Sequence, residues 1–152
     1  MIYCTSVYED ELTHQIILKI YDLFPGCFSE LKVIPCNGKR KIKKQIKAYN
    51  SAAQHGYYFV ITDLDDDYEC APSLIQNWLP DQRNKQLLFR VAVHEIESWL
   101  LADKKNFAAF LSISQEVIPL EPDKDMDPKR TVISLAKKSK KKGNSGSYHS
   151  CR

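Results

Sequence analysis

Five carboxylates at short, repeated spacing are the residues of this chain best suited to chemistry: Glu9, the pair Asp63 and Asp65, and the pair Glu95 and Glu97. Carboxylates a few ångströms apart raise one another's pKa, so they persist in ionised form mainly around a bound cation. All-oxygen donors select hard ions, Mg²⁺ first and Mn²⁺ second, with waters completing the shell. Residues two apart at a strand end can present their side chains to one side, and both Asp63/Asp65 and Glu95/Glu97 have that spacing. Each pair could hold one ion, or the set could hold two ions about 4 Å apart, as in phosphodiester cleavage. The Asp-x-Asp pattern also occurs in nucleotide-sugar transferases and in haloacid-dehalogenase-type phosphatases. The phosphatase arrangement expects the pair after the first strand of the core, whereas here it follows the third.

The elements that must position these groups alternate between strand and helix. Residues 2–8 are β-branched and aromatic, and Glu9, Asp10 and Glu11 then supply carboxylates where a helix N-terminus favours them. Leu12, Ile16, Ile17, Ile20, Leu23 and Phe24 recur at helical spacing until Pro25-Gly26 ends the pattern. Residues 31–35 predict a second strand and Asn37-Gly38 a turn; Ile42, Ile46, Tyr49 and Ala53 predict one face of a second helix that ends at His55-Gly56. Residues 57–62 are continuous, apolar and β-rich, the strongest strand signal in the chain. A helix over 71–79, a strand over 87–93 and a helix over 95–103 follow. Phe107, Phe110 and Leu111 then suggest a short amphipathic helix, 119–128 a Pro- and Asp-rich loop, and 128–138 a basic helix with Pro128 in its first turn.

This order predicts an α/β fold with a mainly parallel sheet of about four strands, right-handed crossovers and helices on both faces. Residues 1–142 are expected to form one domain and 143–152 a flexible basic tail. Ligands of open parallel sheets bind beyond the carboxyl ends of the strands. Glu9, Asp63, Asp65, Glu95 and Glu97 all follow strands, so they are expected to meet there.

Composition narrows the classes. A chain of 152 residues with 43% hydrophobic and 27% charged residues fits one globular domain. No apolar run approaches the roughly 18 to 20 residues of a membrane span, so no membrane partner is expected. The first residues lack a basic segment followed by an apolar one, which predicts a cytoplasmic protein. Five single cysteines with no C-x-x-C pair predict reduced thiols. No P-loop, G-x-S-x-G or zinc-finger spacing is present, which argues against ATP hydrolysis by this chain alone.

The formal charge is only +3, but it is segregated: Lys39, Arg40, Lys41, Lys43, Lys44 and Lys47 form one basic cluster, and Lys129-Arg130 with 137–142 forms another. Such segregation suits a polyanion whose phosphates meet the basic clusters while a metal meets the acidic one. His94 reads as a structural histidine more than as a proton shuttle, and Trp78 and Trp99 as core anchors more than as base-stacking platforms. Tyr8 and Tyr68 flank the acidic segments and could touch a nucleotide.

A Glu at the end of a first strand, a βαβ unit and a strand ending in Asp-x-Asp together resemble the Toprim fold of topoisomerases, DnaG-type primases and OLD-family nucleases. More closely, residues 7–12, 60–65, 70–72, the stretch 89–103 and Asp127-Pro128-Lys129 resemble small Toprim-like proteins, the DUF4276-like group. The resemblance spans about residues 2–140, and its most specific part is Glu95-Ile96-Glu97-Ser98-Trp99-Leu100-Leu101-Ala102-Asp103. It implies that Glu9 is the Toprim glutamate, Asp63 and Asp65 the metal pair, Glu97 with Glu95 the added acidic pair, and Lys129 the lysine near the scissile phosphate. Members of the group continue past the basic helix, which implies a C-terminal truncation here.

The function expected from this reading is a Mg²⁺- or Mn²⁺-dependent nuclease, or nuclease subunit, cutting DNA more readily than RNA. The resemblance adds an AAA- or ABC-type ATPase partner and a setting in phage defence, and a homo-oligomer is compatible with it. The alternatives are a non-catalytic Toprim module that binds nucleic acid or an ATPase, and a metal-dependent enzyme acting on phosphorylated small molecules.

Overall fold

The computed structural model describes residues 1–79 and 82–139. Four strands, β1 (Ile2–Tyr8), β2 (Phe28–Pro35), β3 (Tyr57–Asp63) and β4 (Leu87–Ala92), form one sheet in the order β2-β1-β3-β4. Every pairing is parallel, with Tyr8 opposite Pro35, Val7 opposite Val60, and Asp63 opposite Ala92. Between and after the strands run α1 (Glu11–Asp22), α2 (Lys39–Ala52), α3 (Ala71–Trp78), α4 (Glu97–Ala102), α5 (Lys104–Leu111) and α6 (Pro128–Lys137). The α/β class, the parallel four-stranded sheet and its flanking helices agree with the sequence expectation and are consistent with a Toprim-like sheet. The expected tail, 143–152, lies outside the described residues.

Alternation along each strand divides the core in two. On one face Val7, Val60, Leu87 and Phe89 pack with Ile42, Ile46, Tyr49 and Ala53 of the α2 segment and with Leu74 and Trp78 of α3. On the other, Cys4, Tyr8, Phe59, Ile61 and Ala92 pack with Ile17 and Tyr21 of α1 and with Ile96. A third cluster of Leu101, Ala108, Leu111, Ile118 and Leu135 ties α4, α5 and α6 to one another. Four of the cysteines, Cys4, Cys27, Cys36 and Cys70, are free thiols. Among the described residues no helix is long and apolar enough to cross a membrane.

Of the apolar stripe expected for α1, Ile17 is buried and Leu12, Ile16 and Ile20 pack against the same cluster, and Thr13 and Tyr21 join the buried face. Asp10 caps the helix by accepting from the Thr13 N–H at 2.9 Å. This start turns Thr13, Ile17 and Tyr21 toward the sheet, and the Tyr21 hydroxyl bonds Ser6 Oγ at 3.1 Å. The helix closes at Asp22, leaving Leu23 and Phe24 exposed. The segment expected as one helix over 95–103 is also shorter. It starts at Glu97 and breaks at Asp103, whose carboxylate caps α5 by accepting from the Asn106 N–H.

Candidate active site

The strand ends converge as the sequence implied, because all four strands run the same way and their carboxyl ends share one edge. Glu9 leaves β1 and reaches across to β3: its Oε1 accepts from the Thr62 hydroxyl and from the Asp63 N–H at 3.1 Å. Asp63, the last residue of β3, is held from the β4 side, where its Oδ1 accepts from the Ile96 N–H at 2.9 Å. Beyond the strands the Leu64 N–H bonds the Ala92 carbonyl and the Asp65 N–H bonds the His94 carbonyl, each at 2.8 Å. The acidic loop is thereby fastened to the segment that carries Glu95 and Glu97.

Burial and like charge act on these groups together. Asp63 is pushed up to about 8, first by desolvation and then by Glu9, Asp65 and Glu97, against the opposing pull of the Ile96 N–H. Glu9 is raised by burial, although its bonds to Thr62 and Asp63 and the nearby Lys39 oppose the rise. Burial also raises Glu97, which is only 4% exposed and whose Oε2 has no hydrogen-bond partner.

Two lysines flank the acidic edge. Lys129, in the first turn of α6, approaches Glu97 Oε1 at 3.6 Å and Glu95 Oε1 at 3.9 Å. Its backbone N–H donates to Glu95 Oε2 at 3.0 Å, so Glu95 anchors the start of α6. Desolvation pulls the Lys129 pKa down, but Glu97, Glu95, Asp10 and Asp63 outweigh it and hold the ammonium charged. On the other flank Lys39 donates to the Leu64 carbonyl at 2.6 Å and pairs with Asp65 and Asp67, each at 3.0 Å.

The structure therefore refines the site. Glu9, Asp65 and Glu97 each lie within electrostatic reach of Asp63, which is partly buried. Asp65 takes a left-handed backbone with φ of 49° and pairs with Lys39, while its charge still acts on Asp63 and Glu9. Glu95 and Glu97 both face Lys129, and Glu95 also accepts from its backbone N–H. Lys39 was missed, having been read with the basic cluster. The signal was topological, since α2 begins just past the carboxyl end of β2, on the same edge as Glu9. His94 Nδ1 is buried without a hydrogen-bond partner.

All the acidic donors are carboxylate oxygens, which suit Mg²⁺ or Mn²⁺. The unpartnered Oε2 of Glu97 and the elevated Asp63 fit a neighbouring cation. Among the described residues, however, no three His, Cys, Asp or Glu side chains converge closely enough to hold one ion. In comparisons with protein-family models, curated proteins and solved structures, nothing matches this chain.

Proposed function

We propose that the protein is a Mg²⁺- or Mn²⁺-dependent phosphodiester hydrolase of the Toprim type, acting on DNA in preference to RNA, in phage defence and with an ATPase partner. The observation that carries this reading is the elevated Asp63 beside Glu9 and Glu97, at the sheet edge where open parallel folds bind their ligands. A divalent ion, when bound, supplies Lewis-acid neutralisation of phosphate charge. No three carboxylates converge on one point among the described residues, so Asp63 together with Glu9 or Glu97 would hold it, and waters would complete its shell. Both hydrogen bonds to Glu9 fall on Oε1. Burial raises its pKa, which makes the carboxylate a better proton acceptor for an attacking water. Lys129, held charged by four acids, would face the charge that builds on the phosphate.

A second reading, a non-catalytic module that binds nucleic acid or an ATPase, is favoured by Lys39 and Lys129. Their ammoniums already offset part of the acidic charge without a metal. Calorimetric titration of Mg²⁺ and Mn²⁺, with DNA-cleavage assays on wild type and Asp63→Ala, separates the two. Saturable binding and metal-dependent cleavage, both lost in Asp63→Ala with the fold intact, are expected. Cleavage retained in that variant, or no metal binding by the folded wild type, would overturn the hydrolase and leave the binding module.

A further inference from the structure

At the rim of the acidic edge three oxygens converge on one nitrogen. Lys39 Nζ donates to the Leu64 carbonyl at 2.6 Å and stands 3.0 Å from Asp65 Oδ2 and 3.0 Å from Asp67 Oδ2. An ammonium has three N–H donors, and here each has an oxygen facing it. Two carboxylates and a peptide carbonyl are also the kind of acceptor set that hard metal cations take. Among the described residues no other cation lies within ion-pair distance of either acid.

Exposure is uneven across this group. The Lys39 side chain is only 12% exposed, whereas those of Asp65 and Asp67 are 45% and 62% exposed. A lysine at a surface ion pair ordinarily keeps its head in water and gains little from the pairing. This one is folded inward over the loop that follows β3. The backbone puts it there: β2 ends at Pro35 on the same edge, and Gly38, at φ of 120°, turns the chain into α2, of which Lys39 is the first residue. A cation tethered in this way meets its acceptors at a high effective concentration, with which a free ion must compete.

We propose that Lys39 is the second cation of the acidic edge: its ammonium fills the place at Asp65 and Asp67 that a second divalent ion would take, so the protein binds one ion, at Asp63. The inference deepens the proposed hydrolase and rests on that reading for the ion at Asp63. It settles on one a count that the carboxylate spacing left at one or two. Lewis-acid work on a phosphate then falls to a single ion. Lys39 is a positioning residue: with its three donors spent, it holds the loop of Asp65 and Asp67 in place and adds positive potential at the edge, without bonding a phosphate oxygen itself.

The test counts bound Mn²⁺ by electron paramagnetic resonance of the free ion, with circular dichroism confirming the fold of each protein. Wild type and Lys39→Arg, which keeps the charge, should each bind one ion. Lys39→Met should bind one more than wild type, and Lys39→Met/Asp67→Asn should lose that extra ion. Lys39→Gln, which removes the charge but keeps a side-chain donor, carries the same expectation as Lys39→Met, so loss of fold in the Met variant leaves the count readable. Two ions on wild type, which needs no variant to observe, overturn the assignment, and so does a folded Lys39→Met or Lys39→Gln that binds no more than wild type. The hydrolase is judged separately. A wild type that binds no ion overturns the hydrolase, while a gain of one ion in Lys39→Met over that wild type still upholds Lys39 as the occupant of the Asp65 and Asp67 site.

Discussion

Replacing Asp63 by Asn should stabilise the metal-free protein at alkaline pH, with a size that follows from the electrostatics of the edge. The Asp63 carboxyl rises from an ordinary 3.8 to about 8, chiefly through burial and then through Glu9, Asp65 and Glu97. The unfolded chain gives up this proton first as pH rises. Across the window from 3.8 to about 8 the folded state binds more protons, stability falls through that window, and the loss is complete above it. At about 1.4 kcal/mol for each pH interval, the full window corresponds to ~6 kcal/mol. Glu9 is raised by the same surroundings and takes up part of the protonation, so the expected net effect is ~2–4 kcal/mol. Asn keeps an oxygen for the Ile96 N–H and removes only the charge. Urea unfolding in EDTA should give a gap between Asp63→Asn and wild type that is small at pH 4 and widens with pH to ~2–4 kcal/mol at pH 9. Adding Mg²⁺ at pH 9 should raise the wild type alone. Parallel pH profiles for the two proteins would refute the claim that Asp63 is ionised at a cost.

Three further outcomes follow from the same contacts. Lys39→Met leaves the Leu64 carbonyl without its donor and Asp65 without its cation, and should lower stability by ~2 kcal/mol at pH 7 by urea unfolding. Asp127→Ala removes the acceptor of the Arg130 N–H at the start of α6; it should cost ~1 kcal/mol and speed hydrogen exchange around Lys129, with cleavage reduced. Leu135→Ala opens a cavity in the cluster that holds α6 to α4 and α5, and should destabilise the protein by ~2–5 kcal/mol in thermal or urea unfolding.

The sheet was legible because its signals are local. The run that became Tyr57–Asp63 is apolar on both faces, as a central parallel strand must be, and Gly56 precedes it. The stripe of Ile42, Ile46 and Tyr49 was equally legible, since those three positions are the buried ones of α2. The α1 stripe was legible as far as Ile20, but the burial of Thr13 and Tyr21 was not, because it depends on the Asp10 cap and on a buried Tyr21–Ser6 bond. At the site, the positions of Glu9, Asp63 and Glu97 followed from topology alone. The separate duties of Asp65 and Glu95 did not, because they depend on which lysine each one meets. Lys39 was hidden among five other basic residues of its segment, and nothing in residue type distinguishes the one that turns inward.

The strand order carries a consequence for how the chain comes to be built. The earliest strand, β1, is an inner one, with β2 on one side and β3 on the other. Glu9 finds its two hydrogen-bond partners only when Thr62 and Asp63 have emerged, and Asp63 lies 54 residues further along the chain. At ribosomal rates of about 5–20 residues per second, that is ~3–10 s during which β1, even once β2 covers one side, waits with its other edge open on the growing chain. Until β3 arrives, such a strand can pair with any extended segment nearby, including that of a neighbouring nascent copy. The sheet order that gathers the carboxylates thus leaves the newborn protein most exposed to misassembly while its acidic edge is still unmade.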